Sequence, residues 1–208
     1  MKVGWDQLQF TALEPGDVVL TQSQGLFGRM VKWGSRSPRE SPTWATHCGV
    51  IIGGRTIVEA RWKVILRALW WYKGSNEKII IFRRSGGLDG KQKHIIRAKA
   101  ADYLGRTYGI GKIITHGLDA LLGGVYFFRR LAFMDRYPIC SWVVGFVYDR
   151  LGIRFGVPPD CAQPDDIMDY CIKTRWELIW VDSPGTSFSI TKVYESIRQE
   201  NQHTLVVG

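Results

Sequence analysis

A chain of 208 residues, 45% hydrophobic and 23% charged, is long enough to bury a substantial core and has the composition of an ordered protein. Its formal charge of +9 favours anionic surroundings, but no nucleic-acid-binding motif accompanies the charge, so nucleic acid is not an expected partner. Residues 1–10 lack the apolar core of a signal peptide, and no run reaches the roughly 18 apolar residues that span a bilayer. Cys48, Cys140, Cys161 and Cys171 lack the paired spacing of a zinc ribbon, so no metal and no cofactor are expected. Free thiols in a reducing cytoplasm are the expectation.

Taken in chain order, Pro15 and Gly16 predict a turn ahead of a short strand at residues 18–20. Residues 25–34 suit a short amphipathic helix, and residues 35–43, with Pro38 and Pro42, an exposed loop. Val50-Ile-Ile predicts a strand, Gly53-Gly54 a tight turn and Thr56-Ile-Val the returning strand. This turn would set His47 opposite Ala60, with Glu59 one place away. A one-residue bulge would bring imidazole and carboxylate onto a common face, where the carboxylate could orient the ring. Taken singly, each residue reads better as a solvated group on a hairpin.

Residues 64–72 and 78–84 are expected to extend the sheet. Residues 91–104 predict a helix with Ile95, Ile96, Ala100 and Leu104 inward, ended by residues 105–111. The apolar stretch at 113–133, interrupted by Gly117, Gly123 and Gly124, reads as an insertion at about 110–137 packed on the site. Membrane contact there is the lesser reading.

Tyr137-Pro-Ile-Cys140-Ser-Trp-Val-Val predicts a short helix beginning at or next to the cysteine. Val143, Val144, Val147 and Leu151 form its buried face, and Gly152 its stop. A thiol at a helix N terminus meets unpaired N–H groups and the positive end of the dipole, which favours thiolate. The alternative is a buried structural cysteine. Residues 163–170 predict a short helix with Asp165 or Asp166 near its start, residues 176–181 a last strand, and residues 190–200 a weak helix or tail.

Cys140, His47 and Glu59 are the parts of a thiol acyl-transfer site, with the imidazole as base and a third polar group holding the ring. Gly105-x-x-Tyr108, Cys140-Ser141 and Thr46-His47-Cys-Gly-Val-Ile-Ile-Gly53, with Glu59 beyond it, resemble the motifs of the NlpC/P60 cysteine peptidases. Here the histidine hairpin precedes the cysteine helix. That order is similar to the circularly permuted branch, the YiiX/YebB-type bacterial proteins and the lecithin:retinol acyltransferase-like group. The resemblance covers roughly residues 13–170 and implies an α+β, permuted papain-like fold across one domain, residues 1–208. It implies Cys140 as nucleophile, His47 as base and acid, and Glu59 as the orienting residue. Tyr108, Ser141 and Trp44 would contact substrate. The stretch between Tyr108 and Cys140 is longer than in ordinary members, and Trp142 stands where a small or acidic residue is commoner.

Three functions fit. The first is a hydrolase cutting an amide bond in cell-wall peptide or a related γ-glutamyl or isopeptide linkage, the basic charge aiding approach to peptidoglycan. The second is a lipid acyl hydrolase or acyltransferase, favoured by the 113–133 stretch. The third is a structural or adaptor component of a phage tail or other assembly, virion-associated in that case, with little activity. The nine tryptophans keep that reading in play.

Overall fold

Side chains alternate across a strand, and here both faces of the strands are apolar, so the sheet is buried on two sides. In the computed structural model, which describes Trp5 and residues 12–23, 44–75, 77–107 and 139–181, the fold is α+β. The strands are β1 (Val18–Gln22), β2 (His47–Gly53), β3 (Thr56–Ala60), β4 (Val64–Ala68), β5 (Lys78–Arg83) and β6 (Glu177–Val181). They form one six-stranded antiparallel sheet in the order β4-β3-β2-β1-β5-β6. Helices α1 (Gly90–Ala101), α2 (Cys140–Asp149) and α3 (Pro164–Lys173) complete the described elements with a 3-10 helix at Leu69–Gly74.

Val18, Leu20, Cys48, Val50, Val58, Ile80 and Phe82 share one core with Ile96 of α1, Val143, Val144 and Val147 of α2, and Ile167 and Met168 of α3. Their sequence neighbours Val19, Ile51, Ile57, Ile79 and Ile81 pack on the opposite side with Leu69, Tyr72 and Trp180. No helix among the described residues is long and apolar enough to cross a membrane.

The β2–β3 hairpin corrects the expected register. The turn residues are Gly54 and Arg55, not Gly53 and Gly54, with Gly53 pairing Thr56 and Gly54 at a φ of 53°. That left-handed conformation is open to glycine without strain, which places the turn. Ile52 is then an extra residue on β2, between the pairs Ile51↔Ile57 and Gly53↔Thr56. Arg97 of α1 donates from Nε to the Ile52 carbonyl at 2.7 Å. Moving the turn by one place and adding this bulge leave Glu59 opposite Gly49. His47 and Glu59 therefore lie two places apart on one face, the outcome for which a bulge is required.

Two other expectations change. Residues 64–72 are not one strand: extended structure stops at Ala68 and the chain coils into the 3-10 helix. The helix expected at 91–104 ends at Ala101, so Leu104 falls outside the helical period. It is exposed, while Tyr103 is buried in its place. A capping box of Asp89 with Gln92 begins α1, supplying acceptors to otherwise unpaired N–H groups. The readings at 25–34, 35–43, 110–137 and 190–200 lie outside the described residues, as does Tyr108.

Candidate active site

Cys140 is the first residue of α2, after Ile139 in extended conformation as N-cap. The first rung of the helix ladder runs from the Val143 N–H to the Ile139 carbonyl at 3.2 Å, so the N–H groups of Cys140 and Ser141 precede it. No acidic residue occupies the first turn and no side chain caps it, leaving the positive end of the dipole to the sulfur. The apolar face predicted for this segment holds the helix on the sheet through Val143, Val144 and Val147. Gly152, at a φ of 72°, follows its end.

That packing brings the helix start to the beginning of β2. There the Cys140 thiol neighbours the His47 ring and Cys48, close enough for each to shift the others' protonation. His47 Nε2 stands 2.8 Å from Glu59 Oε2, so Nδ1 is the ring nitrogen left for the sulfur. The His47 side chain is 13% exposed and that of Glu59 is fully buried. Cys140 itself is 5% exposed. The structure thus brings Cys140, His47 and Glu59 together, with a hydrogen bond between the last two.

Sequence reasoning missed the groups around Glu59. Tyr72, carried over the site by the 3-10 helix, donates its hydroxyl proton to Glu59 Oε2, the oxygen that also meets His47. Arg61 Nε lies 3.3 Å from Oε1, and Arg67 on β4 also pairs with Oε1. Arg61 Nη2 binds both oxygens of Glu77 at 2.9 Å, and Glu77 accepts a further hydrogen bond from Thr21, the residue opposite His47 on β1. The Arg67 guanidinium stacks 3.8 Å from the centre of the Trp71 ring, a cation–π contact. Arg61 lies two places beyond Glu59, and Arg67 lies within the segment expected to extend the sheet. Arg61 meets Glu59 from two residues further along the chain, whereas Arg67 reaches it only across the sheet, so nothing in the local sequence marks Arg67.

The electrostatics follow from these contacts. For Cys140, the hydrogen bond from Cys48 and then, against burial, the charge of His47 hold the thiol well below its ordinary value. Burial alone would lower His47, but the charge and hydrogen bond of Cys140 and then Glu59 raise it to about 9. Burial would raise Glu59, but the hydrogen bond and charge of His47, followed by Arg61 and Tyr72, bring it to about 2. These directions favour a thiolate–imidazolium pair backed by a carboxylate. Written so, Cys140, Glu59 and Glu77 balance His47, Arg61 and Arg67.

Of the expected substrate contacts, Ser141 is fully buried and its hydroxyl makes no hydrogen bond. Trp44 is half-buried against the helix-side core that includes Cys140. All four cysteines are buried, and none forms a disulfide. Among the described residues no group of three or more His, Cys, Asp or Glu side chains is arranged to hold a metal ion.

No known protein-family model matches the sequence, and no curated protein does. Among solved structures, the chain is similar to the metalloprotein YiiX from Escherichia coli O157:H7. The two are 22% identical over 69% of each chain, with a TM-score of 0.49.

Proposed function

We propose that this chain is a cysteine-dependent hydrolase of the permuted NlpC/P60 kind, acting on an amide through a thioacyl intermediate. The observation that supports the reading is the juxtaposition of Cys140 with His47, whose Nε2 is hydrogen-bonded to Glu59, with the sulfur at the N terminus of α2. The Cys140 thiolate adds to the carbonyl carbon, and the developing oxyanion takes a hydrogen bond from the Cys140 N–H. On collapse the carbon–nitrogen bond breaks, and the departing amine receives the proton from His47 Nδ1. Neutral His47 then draws a proton from water, which attacks the thioester, releases the acid and restores the thiolate–imidazolium pair. Cell-wall peptide is the first substrate class to test, because the charge of +9 suits an anionic wall.

A second reading is acyl hydrolysis or transfer on a lipid ester. Trp62, Leu66, Trp70 and Trp71 are exposed, and Trp71 stacks on Arg67 beside the site, so apolar and basic groups adjoin as they do at a lipid interface.

Iodoacetamide should label Cys140 faster than Cys161 at neutral pH, although both are 5% exposed. His47→Ala should remove that advantage. Equal labelling of the two thiols would defeat the proposal. Peptidoglycan fragments and short-chain acyl esters, assayed in parallel with Cys140→Ser as control, separate the amide from the ester reading.

A further inference from the structure

We infer that Tyr72 and Arg67 are positioning residues that temper Glu59, keeping the His47 imidazolium acidic enough to surrender its proton to a leaving group. The inference rests on the reading of Cys140 and His47 as an acyl-transfer pair and assigns to their surroundings a role in the second half of the reaction.

The argument begins with an excess. A base needs a partner that stabilises its charged form, yet the same group must later act as an acid, and a ring held too firmly as imidazolium fails at that step. Glu59 is fully buried and only 2.8 Å from the ring, and the Cys140 thiolate faces the ring as well. Two anions in a low-dielectric site would bind the proton tightly. The structure places two donors, Tyr72 and Arg61, and a third cation, Arg67, on the carboxylate, none of which serves the ring directly. The Tyr72 hydroxyl shares Oε2 with His47, while Arg61 and Arg67 occupy Oε1.

Each of these groups draws charge away from the oxygen the ring sees. Burial and the adjoining carboxylate push the Tyr72 phenol well up, so it remains a donor while His47 titrates. Arg61 divides its charge with Glu77 and donates to the Tyr72 hydroxyl at 3.4 Å, whereas Arg67 stacks on Trp71 and pairs with Glu59, so Tyr72 and Arg67 are the probes. Cys48 is the remaining titratable neighbour of the pair, and burial holds it as a neutral thiol.

The test needs no substrate. In a Cys140→Ser background His47 answers to the Glu59 cluster alone, and its ring resonances can be titrated by NMR with the intact chain. Adding Tyr72→Phe should raise the His47 midpoint by about half a pH unit or more, because a carboxylate that loses a donor becomes the stronger acceptor for the imidazolium. Arg67→Gln should move it in the same direction, and Glu59→Gln in the opposite one. A purely structural role for Tyr72 would leave the midpoint in place or lower it as the ring loosens. Either of those results in Tyr72→Phe overturns the inference, and if that variant does not fold, an unmoved or lowered midpoint in Arg67→Gln does so. The acyl-transfer reading fails separately, if restoring Cys140 to the serine variant leaves the His47 midpoint unchanged.

Discussion

A carboxylate with no exposed surface is unfavourable unless its neighbours are positive or donate protons, and Glu59 has His47, Arg61, Arg67 and Tyr72 around it. Glu59→Gln leaves two half-buried guanidinium groups without that anion and should cost about 1–3 kcal/mol of stability, read by urea denaturation near neutral pH. The loss should depend on pH with a definite sign. Glu59 lies at about 2 instead of 4.5, so its stabilisation is present above pH 4.5 and disappears as pH falls through about 2. His47 lies at about 9 instead of 6.5, so its stabilisation is whole below pH 6.5 and disappears as pH rises through about 9. The gap between the wild type and Glu59→Gln should therefore close on the acid side, and that between the wild type and His47→Gln on the alkaline side. Parallel denaturation midpoints across pH would contradict both assignments.

The hairpin and the helix each have one position on which their placement turns. Gly49 lies directly opposite Glu59, and a Cβ built there would come within 2.7 Å of the Val58 carbonyl oxygen and 2.6 Å of Ile57 Cδ1. A backbone oxygen cannot rotate away, so Gly49→Ala should push β2 from β3, costing about 1–3 kcal/mol. The expected reading is a lower melting temperature together with slower iodoacetamide labelling of Cys140, since the imidazole would lose its register with the carboxylate. Normal labelling in this variant would mean that the β2–β3 spacing does not set the site. On the helix, Gly145 plays a milder part: a Cβ there would stand 3.0 Å from the Pro159 carbonyl oxygen, where residues 158–160 pass close by.

Across the whole molecule, the two cores are joined by polar contacts remote from the cysteine. Arg83 on β5 binds both oxygens of buried Asp17 at 2.8 and 2.7 Å, and Tyr148 of α2 donates its hydroxyl to the Gly16 carbonyl. These contacts tie the turn before β1 to the next strand and to the cysteine helix. Arg83→Met should destabilise the fold by about 3 kcal/mol, because Asp17 would remain buried without its cation. Under conditions where the variant is folded, the pH profile of Cys140 labelling should match the wild type. A changed profile would show that the turn before β1 reaches the site electrostatically.

The type and order of the chemical groups were legible in the chain itself. Cys140 before an apolar 3.6-residue pattern, His47 at a strand start and Glu59 on the return strand follow from local periodicity, which depends on neighbours in sequence. The hairpin register was only conditionally legible, because whether the turn falls at Gly53-Gly54 or Gly54-Arg55 depends on the bulge at Ile52 and on Arg97 reaching it from α1. The environment of Glu59 was not legible at all. Tyr72 reaches it only because the chain leaves β4 at Ala68 and coils, and Arg67 because β4 pairs with β3. The sequence by itself determined which side chains could do acyl-transfer chemistry and the local elements carrying them. Tertiary structure alone decided their protonation states, since charges that meet across a sheet and away from water set those states by distance and burial, and neither is a property of neighbours along the chain.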